Sequence, residues 1–125
     1  MEGKEKKILI AEDEKPMARA LELKLKSAGF DVKVVGDGEE ALVEIVKGAY
    51  DLVLLDIMMP KKDGFVVLEE AKSRGNLTPI IISSNLSQNE DIEKAKQLGA
   101  VDYYVKSDIT ISEIIERIKK ALNIN

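Results

Sequence analysis

The stretch DLVLLDIMMPKKDG, residues 51–64, predicts a buried strand followed by a tight turn. Leu52–Leu55 form an apolar run of the kind found in strands that are buried on both faces of a sheet. Asp56 places a carboxylate at the carboxyl end of that strand, where open parallel sheets bind their ligands. By itself, this aspartate fits an ordinary polar strand end as well as a functional site. The rest of the chain must decide between the two.

Composition limits the chemistry that the chain can support. Its 125 residues fit one domain, 1–125, and 45% of them are hydrophobic, as in a globular core. The net charge of −4 predicts no nucleic-acid-binding surface. Cysteine and histidine are both absent, which excludes disulfides, thiolate sites and histidine catalysis. The polar segment Met1–Lys7 is neither a signal peptide nor a membrane anchor, so we expect a cytoplasmic protein without membrane contact.

Five apolar runs alternate with five segments of helical periodicity. The runs predict strands at Ile8–Ala11, Val32–Val35, Leu52–Leu55, Pro79–Ser83 and Val101–Val105. Apolar stripes mark the first helix, at Met17, Leu21, Leu25 and Ala28, and the last, at Ile111, Ile114, Ile115, Ile118 and Leu122. This alternation predicts the doubly wound α/β class, in which a parallel sheet lies between two layers of helices.

Capping signals mark the ends of the predicted helices. Asp37 and Asp63 are placed to cap the second and third helices, and Gly48 to end the second. Ser87–Glu90 and Thr110–Glu113 both have the sequence of a capping box, for the fourth and fifth helices.

Charged and polar residues follow four of the five predicted strands. In chain order they are Glu12, Asp13 and Glu14, then Asp56, then Ser84 and Asn85, and finally Lys106. Because the carboxyl ends of parallel strands share one edge, carboxylates, a hydroxyl and an ammonium converge there. Crowded carboxylates repel each other unless one is protonated or a cation such as Mg²⁺ binds. The ammonium and hydroxyl then suit the oxygens of a phosphoryl group. Taken separately, each residue also fits a solvated surface role.

The chain resembles the receiver domains of two-component response regulators, of the stand-alone kind typified by the bacterial chemotaxis regulator. The resemblance covers essentially the whole sequence and rests on ILIAEDE (8–14), DLVLLDIMMPKKDGF (51–65), PIIISS (79–84) and LGAVDYYVK (98–106). It implies a flavodoxin-like (βα)5 fold with strand order 2-1-3-4-5. It also implies a phosphoacceptor that assists its own phosphorylation and dephosphorylation, which is not a turnover enzyme. We expect a single receiver domain with no attached output domain.

The resemblance implies roles for the residues at the strand ends. Asp56 corresponds to the phosphoacceptor, which takes a phosphoryl group from a sensor histidine kinase or phosphotransfer protein. Asp13, Asp56 and the backbone carbonyl of Met58 correspond to ligands of Mg²⁺, and Glu12 to an acid that acts on the metal through water. Lys106 corresponds to the lysine that pairs with the phosphoryl group.

The resemblance also implies a conformational switch. Ser84 corresponds to the switch hydroxyl and Tyr103 to the aromatic side chain whose rotamer follows it. The fourth helix, fifth strand and fifth helix would then change and bind a downstream target or a second copy of the domain. We expect this face to carry Tyr103, Tyr104, Glu90, Glu93, Lys94, Glu116, Arg117 and Lys119. From the residues alone, a half-buried strand tyrosine and solvated charges explain the same pattern.

Three positions depart from the family pattern. Ser107 follows Lys106 where proline is usual, commonly in a cis peptide. A cis bond before a non-proline residue costs roughly 2.5–4 kcal/mol, so we expect either a trans bond with a re-routed loop or a cis bond held by the fold. Ser84 keeps the hydroxyl of the commoner threonine. Asn85 replaces a small residue, and we expect it to narrow the approach to Asp56.

Met58 and Leu86 flank the path by which water would reach an acyl phosphate. Neither side chain can orient a nucleophilic water. We therefore expect a long-lived phosphorylated state.

Three other functions fit parts of the sequence. A phosphatase or phosphotransferase with an aspartyl-phosphate intermediate typically has a second aspartate two residues after the nucleophile, where this chain has Met58. A flavin- or nucleotide-binding domain would need a phosphate-binding loop after the first strand, where Glu12–Glu14 would repel phosphate without a metal. A pseudo-receiver, an interaction module that is not phosphorylated in vivo, would typically lack a site residue. Only Asn85 and Ser107 favour that alternative.

Overall fold

The computed structural model describes residues 5–124, in which five strands alternate with five α-helices. Met1–Lys4 and Asn125 lie outside the described residues, as do both predicted ends of the domain. The elements are β1 Lys7–Ala11, α1 Lys15–Ser27, β2 Asp31–Val35, α2 Gly38–Lys47, β3 Leu52–Asp56, α3 Gly64–Ser73, β4 Ile80–Ser84, α4 Asn89–Gln97, β5 Asp102–Val105, a 3-10 turn at Lys106–Asp108 and α5 Ile111–Ala121. Each predicted strand agrees with the observed one to within one residue at either end.

The strands form one parallel sheet in the order β2-β1-β3-β4-β5. The predicted doubly wound, flavodoxin-like class and its strand order are therefore confirmed. β3 lies at the centre, and all five of its residues are buried, as its apolar run predicts. Its neighbour β1 is buried from Ile8 onward. None of the helices within residues 5–124 has the length and apolar character that a bilayer crossing requires.

Two apolar cores lie on opposite faces of the sheet because alternate strand residues point to opposite sides. One core joins the sheet to α2, α3 and α4, and the other joins it to α1 and α5. Tyr103 belongs to the first core, whereas Tyr104 belongs to the second and packs with Ile114 and Ile118 of α5. The expectation that Tyr104 is part of the face formed by α4, β5 and α5 is not met, since the residue is only 3% exposed and lies in the core covered by α5.

The first helix differs from its predicted apolar stripe at one position. Leu21 and Leu25 are buried as expected, but α1 ends at Ser27, so Ala28 is exposed just beyond it. Ala18 occupies the buried position instead, one turn before Leu21.

Side-chain caps begin three of the helices. The Asp37 carboxylate accepts a hydrogen bond from the backbone N–H of Glu40 (2.8 Å), and Asp63 caps α3 in the same way. Thr110 and Glu113 form the predicted capping box at α5. The second predicted box, at Ser87, is wrong. α4 begins one residue later than that box requires, with Gln88 at its N-cap and no side-chain cap.

Glu44 connects α2 to β2 and to the segment that precedes β3. Its carboxylate accepts hydrogen bonds from the Tyr50 hydroxyl (2.7 Å) and the Lys47 ammonium (3.0 Å), and Lys33 of β2 lies 3.6 Å away. These partners, led by the Tyr50 hydroxyl, hold the pKa of Glu44 below its usual value.

Candidate functional site

The carboxyl ends of β1 and β3 bring three carboxylates together. Glu12 and Asp13 follow β1 directly and Asp56 ends β3, and one carboxylate oxygen from each lies within 4.8 Å of the other two. Glu12 and Asp56 are buried, whereas Asp13 is exposed. The predicted acidic group is thus assembled, with one side open to solvent.

Lys106 reaches into this cluster from the end of β5. Its Nζ lies 2.8 Å from Glu12 Oε1, 3.0 Å from Asp56 Oδ2 and 3.0 Å from Glu14 Oε1. The lysine side chain is only 6% exposed. An ammonium has three N–H donors, so three carboxylates satisfy it completely.

Burial and charge act together on the ionisation of this cluster. Burial raises the pKa of Glu12 to about 7, and the neighbouring Asp56 carboxylate also raises it, while the hydrogen bond from Lys106 opposes the shift. Burial lowers the pKa of Lys106, but its bonds to Glu12, Glu14 and Asp56 outweigh this effect, so the pKa is raised overall. Lys106 therefore stays charged at neutral pH.

The loop after Asp56 is held close to the site by backbone contacts. The Met58 N–H donates to Asp56 Oδ1 (3.2 Å), and the Gly64 N–H donates to the Ile57 carbonyl (2.7 Å). The N-terminus of α2 touches the same loop, because the Gly38 N–H donates to the Pro60 carbonyl (3.2 Å). The Met58 side chain is 64% exposed, so residue 58 offers its backbone rather than its thioether to the cluster.

Ser84 and Tyr103 converge on the backbone of one residue, Leu86, rather than on Asp56. The Ser84 hydroxyl accepts a hydrogen bond from the Leu86 N–H (3.0 Å), and the Tyr103 hydroxyl donates to the Leu86 carbonyl (2.6 Å). Both side chains are buried, so Tyr103 is more enclosed than the half-buried strand aromatic that its sequence suggests. The Leu86 backbone is a link between the two residues that the sequence did not reveal.

The peptide bond between Lys106 and Ser107 is trans, as are all the others in residues 5–124. The chain continues from β5 into the 3-10 turn, and Lys106 still points at Asp56. Of the two predicted arrangements, the trans bond is confirmed. Asn85 is exposed at the start of the β4–α4 loop, and its effect on access to Asp56 stays a prediction.

The structure therefore groups Glu12, Asp13, Asp56 and Lys106, and places Ser84 and Tyr103 as a separate pair. Sequence reasoning missed the contact between Glu14 and Lys106, although both stood among the residues expected at this edge. It also missed the close approach of Gly38 to the β3–α3 loop, for which the sequence carries no signal.

The carboxylate cluster fits a hard divalent cation. Its members supply oxygen ligands of the kind that Mg²⁺ prefers, and one of them is exposed, which leaves room for water. Burial and the charge of Asp56 both disfavour ionisation of Glu12, and a bound cation would reverse that effect. Lys106 supplies a single positive charge to four nearby carboxylates, including that of Glu14.

Comparison with known proteins identifies relatives over nearly the whole chain. The profile of the response regulator receiver domain matches residues 8–119. Transcriptional regulatory protein DltR of Streptococcus agalactiae is 41% identical over 113 residues, which cover 90% of this chain and 50% of DltR.

Solved structures give the same result. The Francisella response regulator 1452 receiver domain has a TM-score of 0.89 and 34% identity, and the match covers 94% of this chain and 97% of that one. The BeF3-activated N-terminal receiver domain of Klebsiella pneumoniae RstA has a TM-score of 0.86 and 28% identity, with coverage of 93% and 97%. The chain spans about half the length of the curated relatives it matches. With the fold, the acidic cluster and these matches in agreement, the chain belongs to the receiver domain family of two-component response regulators.

Proposed function

We propose that this chain is a phosphoacceptor switch in which Asp56 takes a phosphoryl group from a histidine kinase or phosphotransfer protein. The observation that supports the proposal is the position of the Asp56 carboxylate among its charged neighbours. Its carboxylate lies at the carboxyl end of the central strand, within 4.8 Å of the Glu12 and Asp13 carboxylates and 3.0 Å from the Lys106 ammonium.

The proposed reaction is a displacement at phosphorus. A carboxylate oxygen of Asp56 forms a new bond to phosphorus, and the bond from phosphorus to the donor's imidazole nitrogen breaks. The electron pair of the broken bond stays on that nitrogen, so the donor histidine is restored. Hydrolysis of the resulting acyl phosphate returns Asp56 to its starting state and releases phosphate.

The surrounding residues would stabilise the transferred group. Asp13, Asp56 and the Met58 carbonyl would hold Mg²⁺, with Glu12 acting through water, and the ion would supply charge neutralisation at the phosphoryl oxygens. Lys106 would pair with another of those oxygens, since it already lies beside the acceptor carboxylate. These groups would position the reacting atoms and stabilise the negative charge on the phosphoryl oxygens. Positioning and charge stabilisation account for most of the catalysis of phosphoryl transfer.

A switch follows from the contacts of Leu86. If the Ser84 hydroxyl turns to a phosphoryl oxygen, the Leu86 N–H loses its acceptor. The carbonyl of the same residue accepts the hydrogen bond of the Tyr103 hydroxyl, so a shift of the Leu86 backbone would leave the tyrosine side chain and the β4–α4 loop free to move.

Receiver domains as a family are signalling domains that work with histidine kinases and effector domains and bind Mg²⁺ at an acidic site. For this chain we propose an output through α4, β5 and α5, to a target protein or a second copy. Arg117 ties this face together by donating to the Asp102 carboxylate (3.0 Å) and the Tyr103 carbonyl (3.1 Å). We further propose that the chain works in the cytoplasm, and that residues 1–125 do not themselves bind nucleic acid or membrane.

Intact mass after incubation with phosphoramidate tests the proposal. We expect a Mg²⁺-dependent gain of one phosphoryl group, which the Asp56→Asn variant loses. Asp51→Asn is the matched control, because Asp51 precedes the same strand at its opposite end and bonds the Lys7 N–H instead. It should be labelled like the wild type. No gain under any condition would contradict the proposal and favour a pseudo-receiver.

A further inference from the structure

Lys106 has no free N–H donor in this structure. Its three donors are matched by Glu12, Asp56 and Glu14, each within 3.0 Å of Nζ. Under the proposed function, on which this inference rests, Lys106 must bond an oxygen of the incoming phosphoryl group. One of the three carboxylates has to release it first.

Burial indicates which carboxylate is released. The side chains of Glu12 and Asp56 are 2% and 5% exposed, so before the metal and the phosphoryl group arrive, removing their ammonium partner would leave a buried carboxylate unpaired. The Glu14 side chain is 57% exposed, so water can replace the ammonium at little cost. Glu14 is therefore the partner that Lys106 gives up most easily.

The position of Glu14 in α1 supports a role at Lys106. Glu14 is the N-cap residue of the helix, with an extended backbone, yet its side chain makes no cap hydrogen bond. Glutamate is not among the residues favoured at N-caps, where shorter side chains reach the helix N–H groups. The longer side chain instead spans from α1 to the end of β5.

We propose that Glu14 is a positioning residue that holds one donor of Lys106 in the unphosphorylated state and must release it for phosphoryl transfer. Glu12 and Asp56 are sufficient to place the ammonium beside the acceptor. The contact with Glu14 therefore slows phosphorylation and does not assist it.

Two substitutions separate the contact from the charge. Glu14→Gln removes the charge. Glu14→Asp keeps the charge but shortens the side chain, and aspartate at an N-cap turns to the helix N–H groups. Glu39→Gln is the matched control, because it removes one negative charge at the exposed first turn of α2, which starts from the same edge of the sheet.

The first measurement is the rate of phosphorylation by phosphoramidate with Mg²⁺, followed by intact mass. Both Glu14 variants should react roughly two- to fivefold faster than the wild type, the size expected for losing one exposed ion pair, and Glu39→Gln should not. Unchanged or slower Glu14 variants would overturn the inference, as would a Glu14→Asp variant that behaves like the wild type. An equal gain in Glu39→Gln would also overturn it, because net charge would explain the effect.

The second measurement needs neither donor nor metal. In lysine-labelled protein, the NMR signal of the Lys106 side-chain methylene next to Nζ, assigned with Lys106→Arg, should shift in both Glu14 variants and stay in place in Glu39→Gln. An unshifted signal would overturn the contact itself. If the wild type takes up no phosphoryl group, both the proposed function and this inference are overturned. If the wild type is phosphorylated but the Glu14 variants react no faster, only this inference is overturned.

Discussion

Gly38, at the first position of α2, is packed so closely against the β3–α3 loop that we expect alanine there to be disruptive. A Cβ added at Gly38 would lie 2.7 Å from the carbonyl carbon and the Cβ of Lys62, and nearer still to the carbonyl oxygen. Ordinary contacts begin at 3.4 Å, so the loop or the helix must move by at least about 0.7 Å.

The size of the effect follows from two opposing contributions. Overpacking a tight contact costs typically about 1–3 kcal/mol. Alanine gains up to about 1 kcal/mol over glycine inside a helix, and less at its first turn. We therefore expect Gly38→Ala to lower the free energy of unfolding by about 1–2 kcal/mol. Phosphorylation should also slow, because the displaced loop carries Met58 next to Asp56.

Gly36→Ala provides the matched control for this prediction. Gly36 lies two residues earlier, and a Cβ there would have no atom within 4 Å. We expect that variant to be neutral or slightly stabilised, since alanine restricts the unfolded chain. Urea unfolding of both variants and the wild type measures the difference. If Gly38→Ala is as stable as Gly36→Ala, the tight contact between α2 and the loop does not exist in solution.

Three further predictions concern the lifetime of the phosphorylated state, pH and helix capping. Replacing Met58 with Asn and Leu86 with Glu should shorten the lifetime of the phosphorylated state several-fold, because polar side chains can orient a nucleophilic water. An unchanged rate of dephosphorylation, followed by intact mass over time, would contradict this prediction. Glu44→Gln should cost stability at pH 7 and much less at pH 3. The folded pKa of Glu44 is lowered by the tyrosine hydroxyl and lysine ammonium that contact it, so its contribution is present above its unfolded pKa and lost as pH falls through the folded one. Equal costs at both pH values in urea titrations would refute that account. Thr110→Ala should lower the unfolding free energy by about 1 kcal/mol, whereas Ser87→Ala, which removes no cap, should change it by less than about 0.5 kcal/mol; similar losses would show that the cap is not responsible.

Local patterns in the sequence predicted the fold well. Apolar runs located the five strands because a buried parallel sheet needs continuous apolar residues, and this requirement is visible within five positions. The cluster of Glu12, Asp13 and Asp56 was also predictable, because the carboxyl ends of parallel strands lie at one edge of the sheet irrespective of the loop conformations.

Features that depend on contacts between distant segments were not predictable. The ion pair from Glu14 to Lys106 joins residues 92 positions apart, and its existence depends on the side-chain lengths and on how α1 begins. Burial of Tyr104 depends on which face of the sheet α5 covers, a choice that the fifth strand alone does not encode. The missing cap at Ser87 shows that a capping sequence fails when the helix starts one residue away.

Chemical mapping of the acyl phosphate shows whether Asp56 is the residue that carries the phosphoryl group. Borohydride reduces an aspartyl phosphate to homoserine, which peptide mass spectrometry locates in the sequence. After incubation with phosphoramidate and Mg²⁺, we predict homoserine at position 56, and none when Mg²⁺ or donor is omitted. Homoserine at another acidic residue of the cluster, or at no position, would show that Asp56 is not the phosphoacceptor.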